Sequence, residues 1–192
     1  MKSRPVDVRT IVFLIVQAGA LWSPVAAGPP QIPPANPESP AFRDFTQRVQ
    51  QYLKLRKAAP QQRNTKRSQE ITDRRHALAE AIRESRTGAK QGDIFTPEIS
   101  EQFLKVIRST LQGASASNVR KTIRQGEPVA SLHLSVNGAY PENLPLTTVP
   151  PTLLLRLPQL PERLAYRIVG HDFVLQDTEA RLVIDFIPGA LR

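Results

Sequence analysis

The chain has 192 residues, 18 prolines, no cysteine and a formal net charge of +9. The length fits one domain of roughly 100–200 residues, and the missing cysteine excludes disulfides, thiolate-bound zinc, iron–sulfur clusters and a cysteine nucleophile. Hydrophobic residues make up 40% and charged residues 22%, too apolar a balance for a chain disordered throughout.

The first 27 residues have the layout of a secretory signal peptide. Lys2, Arg4 and Arg9 form a basic start, residues 10–22 an apolar stretch interrupted by Gln17, and Val25, Ala26 and Ala27 a small-residue cleavage site. Cleavage after Ala27 predicts an exported protein, periplasmic or secreted. A membrane span needs about 20 apolar residues. This stretch is shorter and runs into Pro24, Pro29 and Pro30, so no transmembrane span is expected once the leader is removed. Residues 28–40 hold six prolines and one charge. Proline fixes φ and donates no hydrogen bond, so this segment reads as a disordered polyproline-type linker, with a polyproline ligand as the alternative.

The remaining residues, 41–192, are expected to form a single α+β domain, helical over 41–127 and β over 128–192. Ser39 and Pro40 form a helix start, Ser as N-cap and Pro at the first helical position. Phe42, Phe45, Val49 and Tyr52 then recur on one helical face, predicting a helix over 40–58 that Pro60 ends. A second helix is expected over 68–90, with Ile71, Leu78, Ile82 and Ala89 near one face and Gly88 and Gly92 at its end. The short connection makes the pair a helical hairpin. Thr96, Pro97 and Glu98 start a third helix, along which Ile99, Phe103, Ile107 and Leu111 step at intervals of four. Asn118 caps a further short turn.

After Pro128 the period changes. Residues 129–136 alternate apolar and polar, predicting a half-buried strand before the Asn137-Gly138 turn. Residues 141–161 carry six prolines among leucines and read as a covering loop with a short helix near 151–157. Leu164, Tyr166 and Ile168, then Phe173 and Leu175, then Ala180, Leu182, Ile184 and Phe186 define an antiparallel β-meander, turning at Gly170-His171-Asp172 and Asp177-Thr178.

Residues 136–141 (VNGAYP), the leucine–proline segment, residues 164–170 (LAYRIVG), Asp177 and residues 182–188 (LVIDFIP), with Gly92, Asp93, Ile94 and Phe95 ahead of the third helix, carry a resemblance. Over roughly residues 40–190 the chain resembles an uncharacterised family of secreted bacterial proteins of unknown function. The resemblance implies a bacterial envelope setting and assigns no activity and no functional residue.

The charge is local. Residues 41–92 carry 13 Lys/Arg against five Asp/Glu, while residues 128–192 carry five against six. Lys54, Arg56, Lys57, Arg63, Lys66, Arg67, Arg74 and Arg75 therefore form the candidate anion-binding surface, the alternative being a solvated helix face. Export and the lack of interleaved aromatics argue against nucleic acid. An anionic envelope surface or another envelope protein remains as partner.

No nucleophile elbow and no glycine-rich phosphate loop occurs, and His76, His133 and His171 show no helical metal-pair spacing. No catalytic residue, metal or cofactor is therefore assigned. His171, Asp172 and Asp177 could unite across a hairpin as an acid–base or metal site, with ordinary turn chemistry as the alternative. Asp185 interrupts an apolar strand. Strict alternation turns it away from Leu182, Ile184 and Phe186, toward solvent or an arginine such as Arg167. The leading expectation is an exported envelope protein acting as a non-enzymatic binding or structural-accessory domain. Two others stand beside it: a hydrolase of envelope polymers using carboxylates no motif marks, and a peripheral binder of anionic membrane through the basic hairpin.

Overall fold

A computed structural model describes residues 39–58, 68–112, 117, 133–140 and 149–192. The expected leader, the expected linker up to residue 38, the expected loop at 59–67, the expected turn at Asn118 and the start of the expected strand at 129 lie outside them. The described elements run α1 (Pro40–Ala58), α2 (Ser68–Ser85), α3 (Pro97–Gln112), a one-turn α4 (Pro151–Leu154), β1 (Leu164–Val169), β2 (Asp172–Asp177) and β3 (Leu182–Ile187). The architecture is α+β, helices first and an antiparallel sheet last, in the order β1-β2-β3.

Helices α1 and α3 form where cap and stripe agree. Ser39 Oγ accepts the Phe42 N–H at 3.2 Å, and Phe42, Phe45, Val49 and Tyr52 are buried. In α3, Ile99, Phe103, Val106 and Ile107 are buried, a face shifted slightly from the expected one, so that Leu111 packs only partly. α2 stops at Ser85, short of the expected residue 90. Single turns follow, with Arg86 N–H on Arg83 O at 3.1 Å and Ala89 N–H on Arg86 O at 2.9 Å. Thr87 and Gly88 are poor helix formers, and Arg86 is drawn out of the helix by partners across the fold.

The helices cover one face of the sheet. Phe103 lies at the centre, its ring 5.0 Å from Phe45, 5.1 Å from Phe95, 5.3 Å from Phe42 and 5.9 Å from both Tyr166 and Phe173. Edge-on and tilted pairs of this kind add to the burial of area itself. Leu153 of α4 joins the same core, and Arg156 fastens α4 to α3 through Ser109 Oγ at 2.8 Å and Thr110 Oγ1 at 2.9 Å. On the opposite sheet face, Tyr140, Val169, Val174 and Val183 form a smaller cluster, joined by Leu134 and Phe186.

Two details depart from simple alternation. Residues 133–136 are not a strand. The edge of β3 is bonded instead by the turn and the residues after it, with Asn137 N–H on Val183 O at 2.8 Å, Val183 N–H on Gly138 O at 2.9 Å and Tyr140 N–H on Arg181 O at 2.7 Å. A Cβ on Gly138 would meet Ser135 Oγ at 2.4 Å and Ser135 O at 2.8 Å, so this turn requires glycine. Along the β2–β3 ladder, Leu175 pairs with Asp185 but Gln176 with Val183, leaving Ile184 as the extra residue of a bulge. A bulge inverts the parity of the strand beyond it. Leu182 and Ile184 join the helix-side core, as does Ile187, while Phe186 passes to the other face.

Candidate functional site

The bulge puts Asp185 among the helix-side groups, not in solvent. It is 0% exposed. Its Oδ1 accepts the Gly92 N–H at 3.0 Å and its own neighbour's, Phe186 N–H, at 2.8 Å. Its Oδ2 accepts the Ile94 and Phe95 N–H groups, both at 2.8 Å. The carboxylate thus gathers the loop between α2 and α3, whose sharp bend is allowed by Gly92 at φ +91°. The expectation of a solvent-facing side chain or an Arg167 partner is overturned by one inserted residue. Arg167 bonds Gln176 Oε1 at 3.0 Å instead.

Asp177, at the end of β2, is likewise 0% exposed. Its Oδ1 caps the β2–β3 turn, accepting the Glu179 N–H at 3.0 Å and the Ala180 N–H at 2.8 Å. Its Oδ2 accepts Tyr52 Oη–H at 2.8 Å and Arg56 Nε–H at 2.7 Å. Arg56 also bonds Glu179 Oε2 through Nη2, and Arg163 Nη1 approaches the same oxygen at 3.2 Å. Burial works against the Arg56 charge, but the Asp177 and Glu179 carboxylates together outweigh it and raise its pKa. Burial, and then the charge of Asp177, push the Tyr52 phenol far above its ordinary value.

Arg86 links the two aspartate sites. Its guanidinium lies 5.2 Å from the centre of the Tyr52 ring, within cation–π range, and its Nη1 donates to Asn137 Oδ1 at 2.8 Å. Asn137 Nδ2 donates back to Arg86 O at 2.9 Å, and Arg83 Nε to Asn137 O at 3.0 Å. Burial lowers the pKa of Arg86, opposed by Tyr52, Asp93 and Asp185.

A carboxylate offers about four lone-pair sites. Each of these aspartates accepts four hydrogen bonds from the chain itself. Their chemistry is anchoring: Asp185 ties the α2–α3 loop to β3, and Asp177 ties α1 to the β2–β3 turn.

The candidate basic surface is only partly assembled. Lys54 and Lys57 are exposed. Arg56 is not a surface residue: it is 5% exposed and committed to Asp177 and Glu179. It follows Tyr52 by four positions and so continues the buried stripe of α1. Arg74 and Arg75 are half-buried and engaged with neighbours. Arg63, Lys66 and Arg67 lie outside the described residues.

The hairpin site of His171, Asp172 and Asp177 is not formed. Asp172 and Asp177 begin and end β2, about 17 Å apart at ~3.3 Å per residue. Asp172 Oδ1 caps Gly189 N–H at 2.8 Å. His76, His133 and His171 are exposed, and among the described residues no three His, Asp or Glu side chains gather as a metal site. No described helix is long and apolar enough to cross a membrane.

Sequence reasoning passed over Tyr52, Arg56, Arg86 and Asn137 as a connected group. One signal was present for Arg56, a cation on an apolar stripe. Nothing local marks Arg86 or Asn137, which meet 51 residues apart in the chain. Comparison of the chain with protein-family models, with curated proteins and with solved structures found no match.

Proposed function

We propose that this is an exported protein of the bacterial envelope that works as a non-enzymatic binding or structural-accessory domain. One observation supports the second half of this reading: among the described residues, the two fully buried carboxylates have their acceptor positions filled by backbone N–H groups, Tyr52 and Arg56. A general acid or base must instead hold a lone pair or proton within reach of substrate. Polar groups used in this way fix a scaffold, and the scaffold then acts through its surface. Export, and with it the envelope setting, is supported by the leader-like residues 1–27. The partner is an anionic envelope surface or another envelope protein.

The protein's only tryptophan is Trp22, inside the leader. Protein recovered from the periplasm should therefore begin at Gly28 and emit as tyrosine alone. A cytoplasmic chain starting at Met1 and showing tryptophan emission would overturn export. Incubation with purified envelope polysaccharide should release no new reducing ends. Release that is abolished by substituting one exposed carboxylate would replace the binding domain with a hydrolase.

A further inference from the structure

The outward side of α1 differs from the exposed sides of the other long helices. α2 exposes Asp73, Glu80 and Glu84, and α3 exposes Glu98, Glu101, Lys105 and Arg108. On α1 the exposed residues Arg43, Gln47, Gln50, Lys54 and Lys57 recur at intervals of four and three, which places them on one face. At ~1.5 Å per residue the stripe is about 21 Å long. It holds no carboxylate. The one acid of α1, Asp44, is paired with Arg48 at 3.1 Å.

Two features accompany this stripe. Arg43 sits near the start of α1, whose first turn has no acidic residue, although the helix dipole favours anions there and disfavours cations. Leu55, beside Lys54, is 42% exposed, an apolar side chain held out at the margin of a cationic stripe. Arg43, Lys54 and Lys57 can still bind an anion, whereas Arg56 is turned inward to Asp177.

We infer that the outward face of α1 docks on anionic lipid headgroups, with Arg43, Lys54 and Lys57 on the phosphates and Leu55 entering the interface. This rests on the reading of the protein as a surface-acting envelope domain. A soluble polyanion would satisfy the cations but leave Leu55 in water. A bilayer satisfies both, since interfacial binding combines charge attraction with buried apolar area.

The test is co-sedimentation of the purified protein with phosphatidylcholine vesicles, with and without phosphatidylglycerol, at low and high salt. Binding should require phosphatidylglycerol and weaken with salt. Each stripe cation removed should weaken it about fivefold, and the triple variant R43A/K54A/K57A roughly 100-fold. Leu55→Ser should weaken binding at every salt concentration at which it is measurable. Arg108→Ala, exposed on α3, should change it little. The inference is overturned if the protein ignores phosphatidylglycerol vesicles or binds only soluble polyphosphate. It is equally overturned if the triple variant binds as the parent does, or if Arg108→Ala costs as much as a stripe substitution, since net charge would then suffice. A periplasmic protein beginning at Gly28 without vesicle affinity defeats this surface and leaves the exported domain standing. Stripe-dependent vesicle binding by a chain that keeps residues 1–27 does the reverse.

Discussion

Asp185→Asn changes almost no volume and isolates the role of one carboxylate. In the parent, Oδ1 and Oδ2 each accept two backbone N–H groups, four in all, at 2.8–3.0 Å. An asparagine keeps one acceptor oxygen. Its amide nitrogen must face the other pair of N–H groups, donor against donor. Each buried donor left without an acceptor costs about 1–3 kcal/mol, and loss of the buried charge returns part of that. The expected net destabilisation is about 2–4 kcal/mol, a large share of the ~5–15 kcal/mol of an ordinary domain. Guanidinium denaturation followed by far-UV circular dichroism measures it directly, with an unchanged slope showing that the same surface unfolds. A solvent-facing Asp185, as strict alternation would have it, gives a change within about 0.5 kcal/mol. That result would refute the bulge and with it the anchoring of the α2–α3 loop.

Arg56→Met should destabilise by about 3–5 kcal/mol because Asp177 is left buried without its cation, and a double-mutant cycle with Tyr52→Phe should be non-additive, since both side chains donate to Asp177 Oδ2. Gly138→Ala should lower the melting temperature, its Cβ falling 2.8 Å from Ser135 O. Tyr140→Phe should be within about 0.5 kcal/mol of the parent, because Tyr140 Oη is buried with no hydrogen-bond partner among the described residues. All three tyrosines, Tyr52, Tyr140 and Tyr166, have phenols raised by burial. A raised phenol pKa contributes stability that is fully present below the unfolded value of about 10 and is lost as pH climbs above it. Tyr52 and Tyr166, raised the furthest, should therefore ionise only together with alkaline unfolding, so that at most one tyrosine's worth of tyrosinate absorbance precedes it. Ionisation of two or three tyrosines in protein that keeps its native circular dichroism would contradict the burial.

The helices and the meander were legible because each is a local signal repeated often enough. Phe42, Phe45, Val49 and Tyr52 need only a 3.6-residue period, and Ser39 with Pro40 needs only local capping chemistry. The strands of the meander were likewise legible from alternation and turn residues. The buried polar framework was not, for a physical reason. Asp185 was misplaced because alternation extrapolates parity along a strand, and a single extra residue at Ile184 inverts it. Asp177 looked like a turn residue, which it is, yet its second oxygen serves α1, more than a hundred residues away in the chain. Residues 133–136 alternate like a strand but are not one, since the bonds to β3 come from Asn137 and Gly138 of the turn itself and from Tyr140 after it. Arg56 does not belong to the exposed basic surface, and net charge does not report which cations face inward. Arg56 is the one whose position on the stripe of α1 gave it away.

Native-state hydrogen exchange puts the anchoring of the two aspartates, on which the functional reading rests, to the most direct test. The amides of Gly92, Ile94 and Phe95, bonded to Asp185, and of Glu179 and Ala180, bonded to Asp177, lie in loops and turns. Loop amides ordinarily exchange through cheap local openings. Anchored to buried carboxylates, these five should exchange as slowly as the central strand β2, through global unfolding alone. Exchange of the five at the rate of an open loop, while β2 stays protected, would contradict the account and free both carboxylates for another role.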